Sequence, residues 1–422
     1  MDFDFTEDRG PAKYFHGRKQ IIDTFNGALR FYRANKRGTT FLIQGAPGAG
    51  KTALLDVLSN QAKPKGWAVA DISVEDLYTP ASMAQSLGKS YTIDSEYALK
   101  GGIKFIEGGI VESVAGHANP REVLKHLSPE TGLILLLDEA QHLNNLLNPQ
   151  DVKTSTTSTL NAIHNGELGK PVILLTAGLS TSETALSSLG VSRFVGECTV
   201  QLGRLDKESE CAVIRDWLTQ SGGGAEDTTI WVEAIAEKTH GWPQHIISYV
   251  KPALKYLKSS HGKMTDSGLE FVIESGNEFR LQYYDGRAHD IDKEHRVALA
   301  RAVMDVPIDG TTTRTAIIHS LKQSGLTQEE ADALFKRALE QGILDKRKSG
   351  EYGIPIPSLH RWLIDEYIRN KSHDIPPAPK QLPAKPEQFL LPPKKDDEPK
   401  VKKNKGDDED KRKGGGGFSM ER

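Results

Sequence analysis

Thr40-Phe41-Leu42-Ile43-Gln44-Gly45-Ala46-Pro47-Gly48-Ala49-Gly50-Lys51-Thr52-Ala53-Leu54-Leu55 is the stretch whose reading decides the fold. Gly45 to Thr52 satisfies the pattern G-x-x-x-x-G-K-[ST] at every fixed position. Thr40 to Gln44 before it reads as a short buried strand, and Ala53 to Leu58 after it as a helix that opens at the loop. Glycines allow the tight turn that aims backbone N–H groups at phosphate oxygens. The helix N-terminus adds partial positive charge for the same anion. Lys51 is then placed to reach the outer phosphates, and the Thr52 hydroxyl to ligate magnesium. A glycine-rich turn that matches by chance is the competing reading, and the strand and helix on either side weigh against it.

The bulk numbers bound the rest. A chain of 422 residues suggests two or three domains. With 37% hydrophobic and 26% charged residues it reads as a soluble globular protein with some polar, unfolded sequence. A net charge of −3 excludes a generally basic polyanion binder, so any nucleic-acid contact must come from a local patch. Cys198 and Cys211 are too few for a disulfide framework and read as reduced packing residues. The N-terminus, Met1 to Phe5, is acidic and lacks a signal-peptide core. Apolar runs such as Leu133 to Leu137 are too short to span a bilayer. No membrane contact is expected, and the expected compartment is the cytoplasm.

Residues 1–37 contain Tyr14-Phe15-His16-Gly17-Arg18 and then apolar residues at helical spacing, from Ile21 to Tyr32. They read either as a packing helix behind a turn or as an entrance segment in which Phe15 and Arg18 lie beside a nucleotide base. Trp67 to Ile72 is the expected second strand, and a helix runs from about Pro80 to Leu87. Paired glycines in residues 88–120 bracket Ile103 to Ile106 and Ile110 to Val114, which suits either a hairpin or a flexible insertion. Leu133 to Leu137 is apolar throughout, as a central parallel strand should be, and ends in Asp138-Glu139. A carboxylate at that end of a strand stands beside the phosphate loop. Asp138 is expected to hold magnesium and Glu139 to orient the attacking water. Thr176 is expected at the end of the next strand, Pro171 to Thr176, within reach of the terminal phosphate or as a local backbone ligand. Arg193 is either exposed to a neighbouring subunit's site or in a surface salt bridge. Glu197 to Leu202 is a fifth strand. Strands alternating with helices argue for a parallel sheet covered on both faces.

Beyond residue 206 the character changes to helices. Asp206 can cap the first, a second runs from about Thr229 to Lys238, and a third starts near Pro243 and should kink or restart at Pro252. Helical stretches near 291–304, 312–323 and 327–341 then precede two short strands around Arg347-Lys348-Ser349-Gly350 and a last helix from Ser358 to Asn370. That order looks like a winged helix with a basic tip suited to DNA phosphates. Glu329, Glu330 and Asp332 open its third helix, where they suit the helix dipole and oppose a phosphate backbone. The proline- and charge-rich chain from about Ile375 reads as disordered, with Phe389-Leu390-Leu391 its one apolar point.

The series Phe15-His16-Gly17-Arg18, Gly45 to Thr52, Leu133 to Glu139, Thr176, Arg193 and Gly241-Trp242-Pro243 resembles the AAA+ ATPases, and within them the origin-recognition/helicase-loader and STAND-like groups. Asp138 to Leu143 also looks like the ATPases that assist DNA transposition. The fold this implies is α/β: an αβα parallel-sheet ATPase domain, a helical lid, a C-terminal winged helix and a disordered tail. The implied boundaries are 1–37, 38–205, 206–285, 286–370 and 371–422. ATP and Mg2+ are the implied cofactors, bound between sheet domain and lid by Gly45 to Thr52, Ala53, Phe15, Arg18 and Pro243. Catalysis would fall to Lys51, Glu139, Thr176 and, as an arginine finger in a head-to-tail homo-oligomer, Arg193. In many relatives an arginine follows Gly-x-Pro, whereas here Gln244 and His245 follow Pro243. The implied output is assembly on DNA or a partner protein. The alternative is a slow nucleotide-gated scaffold without DNA contact; a phosphate-loop kinase is poorly supported, since no substrate-binding motif is visible.

Overall fold

In a computed structural model, residues 14–90, 103–106, 110–113, 119–146, 150–191, 198–219, 228–348 and 350–369 are described. All of them fall in the unit Met1–Ser372. Helix α1 (Lys19–Ala34) leads into strand β1 (Thr39–Gly45), whose seven residues are all buried. Helix α2 (Lys51–Ala62) opens directly after the phosphate loop and returns the chain to β2 (Ala68–Asp71) and α3 (Pro80–Ser90). Then β3 (Ile103–Ile106) and β4 (Ile110–Ser113) pair antiparallel, as the two short β segments of the sequence suit. Helix α4 (Pro120–Leu127) is capped by the Asn119 side chain, which accepts from the Glu122 amide. It precedes β5 (Leu133–Leu137), also wholly buried. The domain closes with α5 (Gln150–His164), β6 (Val172–Gly178), α6 (Ser182–Ser188) and β7 (Thr199–Leu202).

The strand order is β2-β5-β6-β1-β7, and every pairing is parallel. This is the expected αβα phosphate-loop fold. Alternate side chains feed the two faces, as the period of a strand requires. Phe41 and Ile43 of β1 and Ile134 and Leu136 of β5 enter one core; Leu42, Leu133, Leu135 and Leu137 enter the other. Because β6 lies between β1 and β5, Thr176 pairs with Leu137 on one side and Leu42 on the other.

Four helices follow: α7 (Lys207–Thr219), α8 (Thr229–Thr239), α9 (Pro243–Ser259) and α10 (Asp266–Ala288). Asp206 caps α7 by accepting from the Ser209 amide at 2.8 Å. Of the kink or restart expected at Pro252, the restart does not occur: α9 runs through it as one helix. Tyr249, Val250, Ala253 and Leu254 are buried on both sides of the proline, and this packing outweighs the lost backbone hydrogen bond. Within the expected segment 206–285, the chain after α9 forms the 23-residue helix α10. Gly276 lets α10 sit directly on the Tyr249 ring, where a β-carbon would collide.

The C-terminal module comprises α11 (Lys293–Val303), β8 (Thr312–Thr313), α12 (Arg314–Gln323), α13 (Gln328–Glu340), β9 (Asp345–Lys348), β10 (Glu351–Gly353) and α14 (Pro357–Ile364). Its three strands form an antiparallel sheet in the order β8-β10-β9. The succession helix, strand, helix, helix, strand, strand is the one a winged helix has. The last helix passes at Ile364 into a wider π turn over Asp365–Arg369, and its expected end at Asn370 lies outside the described residues. Tyr284, Ala288, Phe335 and Leu359 join the same core as Phe41 and Leu54, so this module is packed into one face of the sheet domain. Among the described residues, no helix is long and apolar enough to cross a membrane. The expected tail, with Phe389-Leu390-Leu391, lies outside the described residues.

Candidate functional site

The loop between β1 and α2 turns through Gly48 and Gly50, at φ +78 and +87. Gly48 is needed twice over. Its backbone is left-handed, and a β-carbon would come within 2.6 Å of Gln244 Cβ and 3.0 Å of Trp242 Nε1. Gly50 immediately precedes α2, so the first amides of that helix face the loop's concavity. Lys51 is buried, and its ammonium donates to the carbonyls of Gly45 at 2.9 Å and Ala46 at 3.3 Å. Burial lowers its pKa; Glu139 and Asp138 pull it back up, and Arg287 pushes it down.

One strand, β5, brings both acids to this lysine. Thr52 at the start of α2 donates its hydroxyl to Asp138 Oδ2 at 2.6 Å. The Glu139 amide donates to Asp138 Oδ1 at 2.9 Å, which fixes the carboxylate from both sides. Glu139 itself has φ +55, a conformation that costs about 1 kcal/mol or more in a non-glycine residue and is common at functional sites. The Gln141 amide nitrogen donates to Glu139 Oε2, while its oxygen accepts from the Leu179 amide at 3.1 Å. Gln141 thus ties Glu139 to the end of β6. The hydroxyl and carboxylate of Thr52 and Asp138 are hard oxygen donors, which fits magnesium held partly by water and phosphate. Among the described residues no group of three or more His, Cys, Asp or Glu forms a metal cage, and magnesium needs none.

A cavity of about 400 Å³ rises from this loop. Ala53, Phe15, Arg18 and Pro243 stand on its wall. Sequence reasoning missed Val213 and Trp217 of α7, Arg287 of α10 and Glu340 of α13, which share that wall. Trp217 packs on Tyr14 with ring centroids 4.8 Å apart and tilted by 41°, making an aromatic stretch of the wall suited to a base. His16 binds Asp216 at 2.7 Å and so pins the segment before α1 to α7. The Arg18 guanidinium donates to the carbonyls of Gly203 and Arg204, closing the same junction. Trp217 lies among residues that sequence periodicity assigns to a packing face, so nothing local marks it as part of a site.

Thr176 needs correction. It is fully buried in mid-strand, two residues before the end of β6, and its hydroxyl donates to the Leu137 carbonyl at 2.9 Å. It does not line the cavity; the local backbone role, weighed as the alternative, is the one found. Arg193 lies outside the described residues.

The loop is also held from outside. Tyr283 of α10 donates its hydroxyl to Pro47 O at 2.8 Å, and the Gln244 amide of α9 donates to Gly48 O at 3.1 Å. Gly342, just after α13, lies so close to the Pro47 ring that a β-carbon would collide with it. Beside it, Asp345 is 3% exposed and accepts from Gln201 Nε2 of β7 at 3.0 Å, while the Lys346 amide donates to Ser180 Oγ at 3.2 Å. Burial raises the Asp345 pKa above its ordinary 3.8.

No protein-family model matches the sequence, and no curated protein does. Among solved structures, the chain is similar to the Aeropyrum pernix ORC2 protein in its ADP form, at 14% identity and TM-score 0.49, over 88% of this chain and 97% of that one. It is similar to the Thermotoga maritima RuvB Holliday junction branch migration motor at 17% identity and TM-score 0.44, over 88% and 100%. It is similar to Cdc6p from Pyrobaculum aerophilum at 14% identity and TM-score 0.38, over 86% and 97%.

Two outcomes follow from this geometry. A folded-state carboxyl pKa above the unfolded value gives stability that is fully present below 3.8 and lost as pH rises through the raised value. Asp345→Asn should therefore melt higher than the parent near neutral pH, and thermal melts taken from about pH 7 down to about pH 4 should show the gap closing. Trp217→Ala should weaken nucleotide binding by about 1–3 kcal/mol, the usual worth of one base–aromatic stack, as read by calorimetry.

Proposed function

We propose that this chain is a magnesium-dependent ATPase of the AAA+ kind that works as a molecular switch. One observation carries the reading: Lys51, Thr52 and Glu139 line one cavity together with the aromatic Tyr14, Phe15 and Trp217, and Asp138 is bound to Thr52 beside it. The phosphates of ATP fit over the amides that open α2. The Lys51 ammonium, held by loop carbonyls, turns to the outer phosphates. Thr52 and Asp138 hold the magnesium, which neutralises phosphate charge when bound. Glu139 orients the attacking water and polarises it; Gln141 keeps the carboxylate in place. Phe15 and Trp217 receive the adenine. Arg193 is assigned to a neighbouring subunit's site in a head-to-tail homo-oligomer, where such a finger supplies ~10³–10⁵ in rate. Thr176 takes no part in phosphate contact, because its hydroxyl is committed to Leu137.

The C-terminal winged helix is the output. A third phosphate adds negative charge near Lys51, which attracts it, and near Glu340 of α13, which repels it. That difference between docked and released states is what a ligand needs in order to shift a conformational equilibrium. The released module then assembles on DNA or on a partner protein. A partner protein is favoured by one feature of α13. Glu330 forms a capping box with Thr327, and Asp332 binds Arg314 at 2.7 Å, so the acids at this helix start belong to its fold and face any phosphate backbone as repulsion. The Arg347–Lys348 ribbon remains the basic element for DNA.

Turnover by the full chain and by Glu139→Gln, with and without duplex DNA, tests this. The variant should keep ATP binding and lose turnover by about a hundredfold or more. Unchanged turnover removes Glu139 from its role. Stimulation of the parent by DNA selects DNA as the output, and indifference to DNA selects the protein partner.

A further inference from the structure

The start of the lid helix brings no positive charge to the phosphates. Gln244 is neutral and gives its amide to Gly48 O. His245 is fully buried against the rings of Tyr283 and Tyr284, at 5.9 and 5.6 Å, and burial drives its pKa down to about 3. Besides Lys51 and the proposed magnesium, the terminal phosphate then has no cationic partner from the start of α9.

The cavity wall offers Arg18 and Arg287. Arg18 is occupied by the carbonyls of Gly203 and Arg204, and beside it His16 is paired with Asp216. Arg287 forms no ion pair with any described residue. Its guanidinium lies 5.2 Å from the centre of the Tyr283 ring, whose hydroxyl holds Pro47 O. It is therefore one side chain removed from the phosphate loop, and its charge already acts on Lys51. A planar guanidinium stacked on an aromatic ring is preorganised to bind phosphate oxygens bidentately.

Its position in the chain gives it a second consequence. Arg287 stands next to Ala288, which is buried in the core shared with the C-terminal module. Three residues earlier, Tyr284 donates to Ser358 Oγ at 2.6 Å and packs on Trp362 at 5.5 Å. The other end of α10 is built into the lid through Val272.

We propose that Arg287, from the helix that joins lid to C-terminal module, binds the terminal phosphate of ATP within the same chain, setting the preference for ATP over ADP and passing it to the module. This rests on the ATPase reading above. The test is equilibrium binding of fluorescent ATP and ADP, with magnesium, to the full chain carrying Glu139→Gln, alone and combined with Arg287→Ala or Arg287→Lys. Arg287→Ala should weaken ATP about ten- to hundredfold, as expected for a hydrogen-bonded charge, and leave ADP within about twofold. Arg287→Lys should recover part of the loss. Equal weakening of ATP and ADP would assign Arg287 a structural role through Tyr283 and would overturn the proposal, as would an unchanged ratio. A Glu139→Gln parent that binds neither nucleotide removes the ATPase reading, and this assignment with it. A parent that binds both, with variants that keep its ratio, removes this assignment alone.

Discussion

The phosphate loop gives up two of its own carbonyls to the rest of the chain. Pro47 O accepts from Tyr283, and Gly48 O from the Gln244 amide. A loop that must present its N–H groups inward is thereby held by its C=O groups outward. The backbone can be gripped so closely because Gly48 has no side chain between it and Gln244. The module after α13 adds a third restraint where Gly342 meets Pro47. Loop, α9, α10 and C-terminal module consequently share one set of contacts. A change in the loop on binding an anion must be felt by the other two, because packed interfaces rearrange between discrete states and do not deform continuously.

Charge is arranged around the same point. Lys51 and Asp345 are both almost wholly buried, at 7% and 3% exposure, on either side of the docked interface. In such surroundings each interaction is stronger than it is in water, and a lost partner costs more. Asp345 is satisfied by Gln201, and Lys51 by two backbone carbonyls. The interface is therefore stable and also conditional. It depends on polar partners that an incoming phosphate competes for, most directly at Lys51.

Much of the sheet domain is legible in the sequence because its signals are local. Leu133 to Leu137 is uniformly apolar, and a run of only five such residues suits a strand buried on both faces. Gly45 to Thr52 carries its own turn chemistry. Asp206 announces a helix start, and the structure has one there. What stayed hidden depends on distant chain. Pro252 is a helix breaker by local rules, and tertiary packing overrides them. Helix α10 carries Gly268, Gly276 and Gly286, which lower its local helix signal, and Gly276 seats a tyrosine ring. The order of motifs suggested Thr176 for the site, yet strand insertion placed it in the middle of the sheet. Trp217 and Arg287 reach the cavity only because α7 and α10 close over it, and no spacing rule records that.

The most direct test of the coupled loop and module is hydrogen exchange at the amide of Lys346, which donates to Ser180 Oγ only while the module is docked. The comparison is between full chain saturated with ADP and full chain saturated with a non-hydrolysable ATP analogue, both with magnesium. The account predicts exchange at Lys346 faster by about tenfold or more with the analogue, the mark of a local opening made easier by over 1 kcal/mol. Equal protection in the two states, with both nucleotides bound, would contradict it.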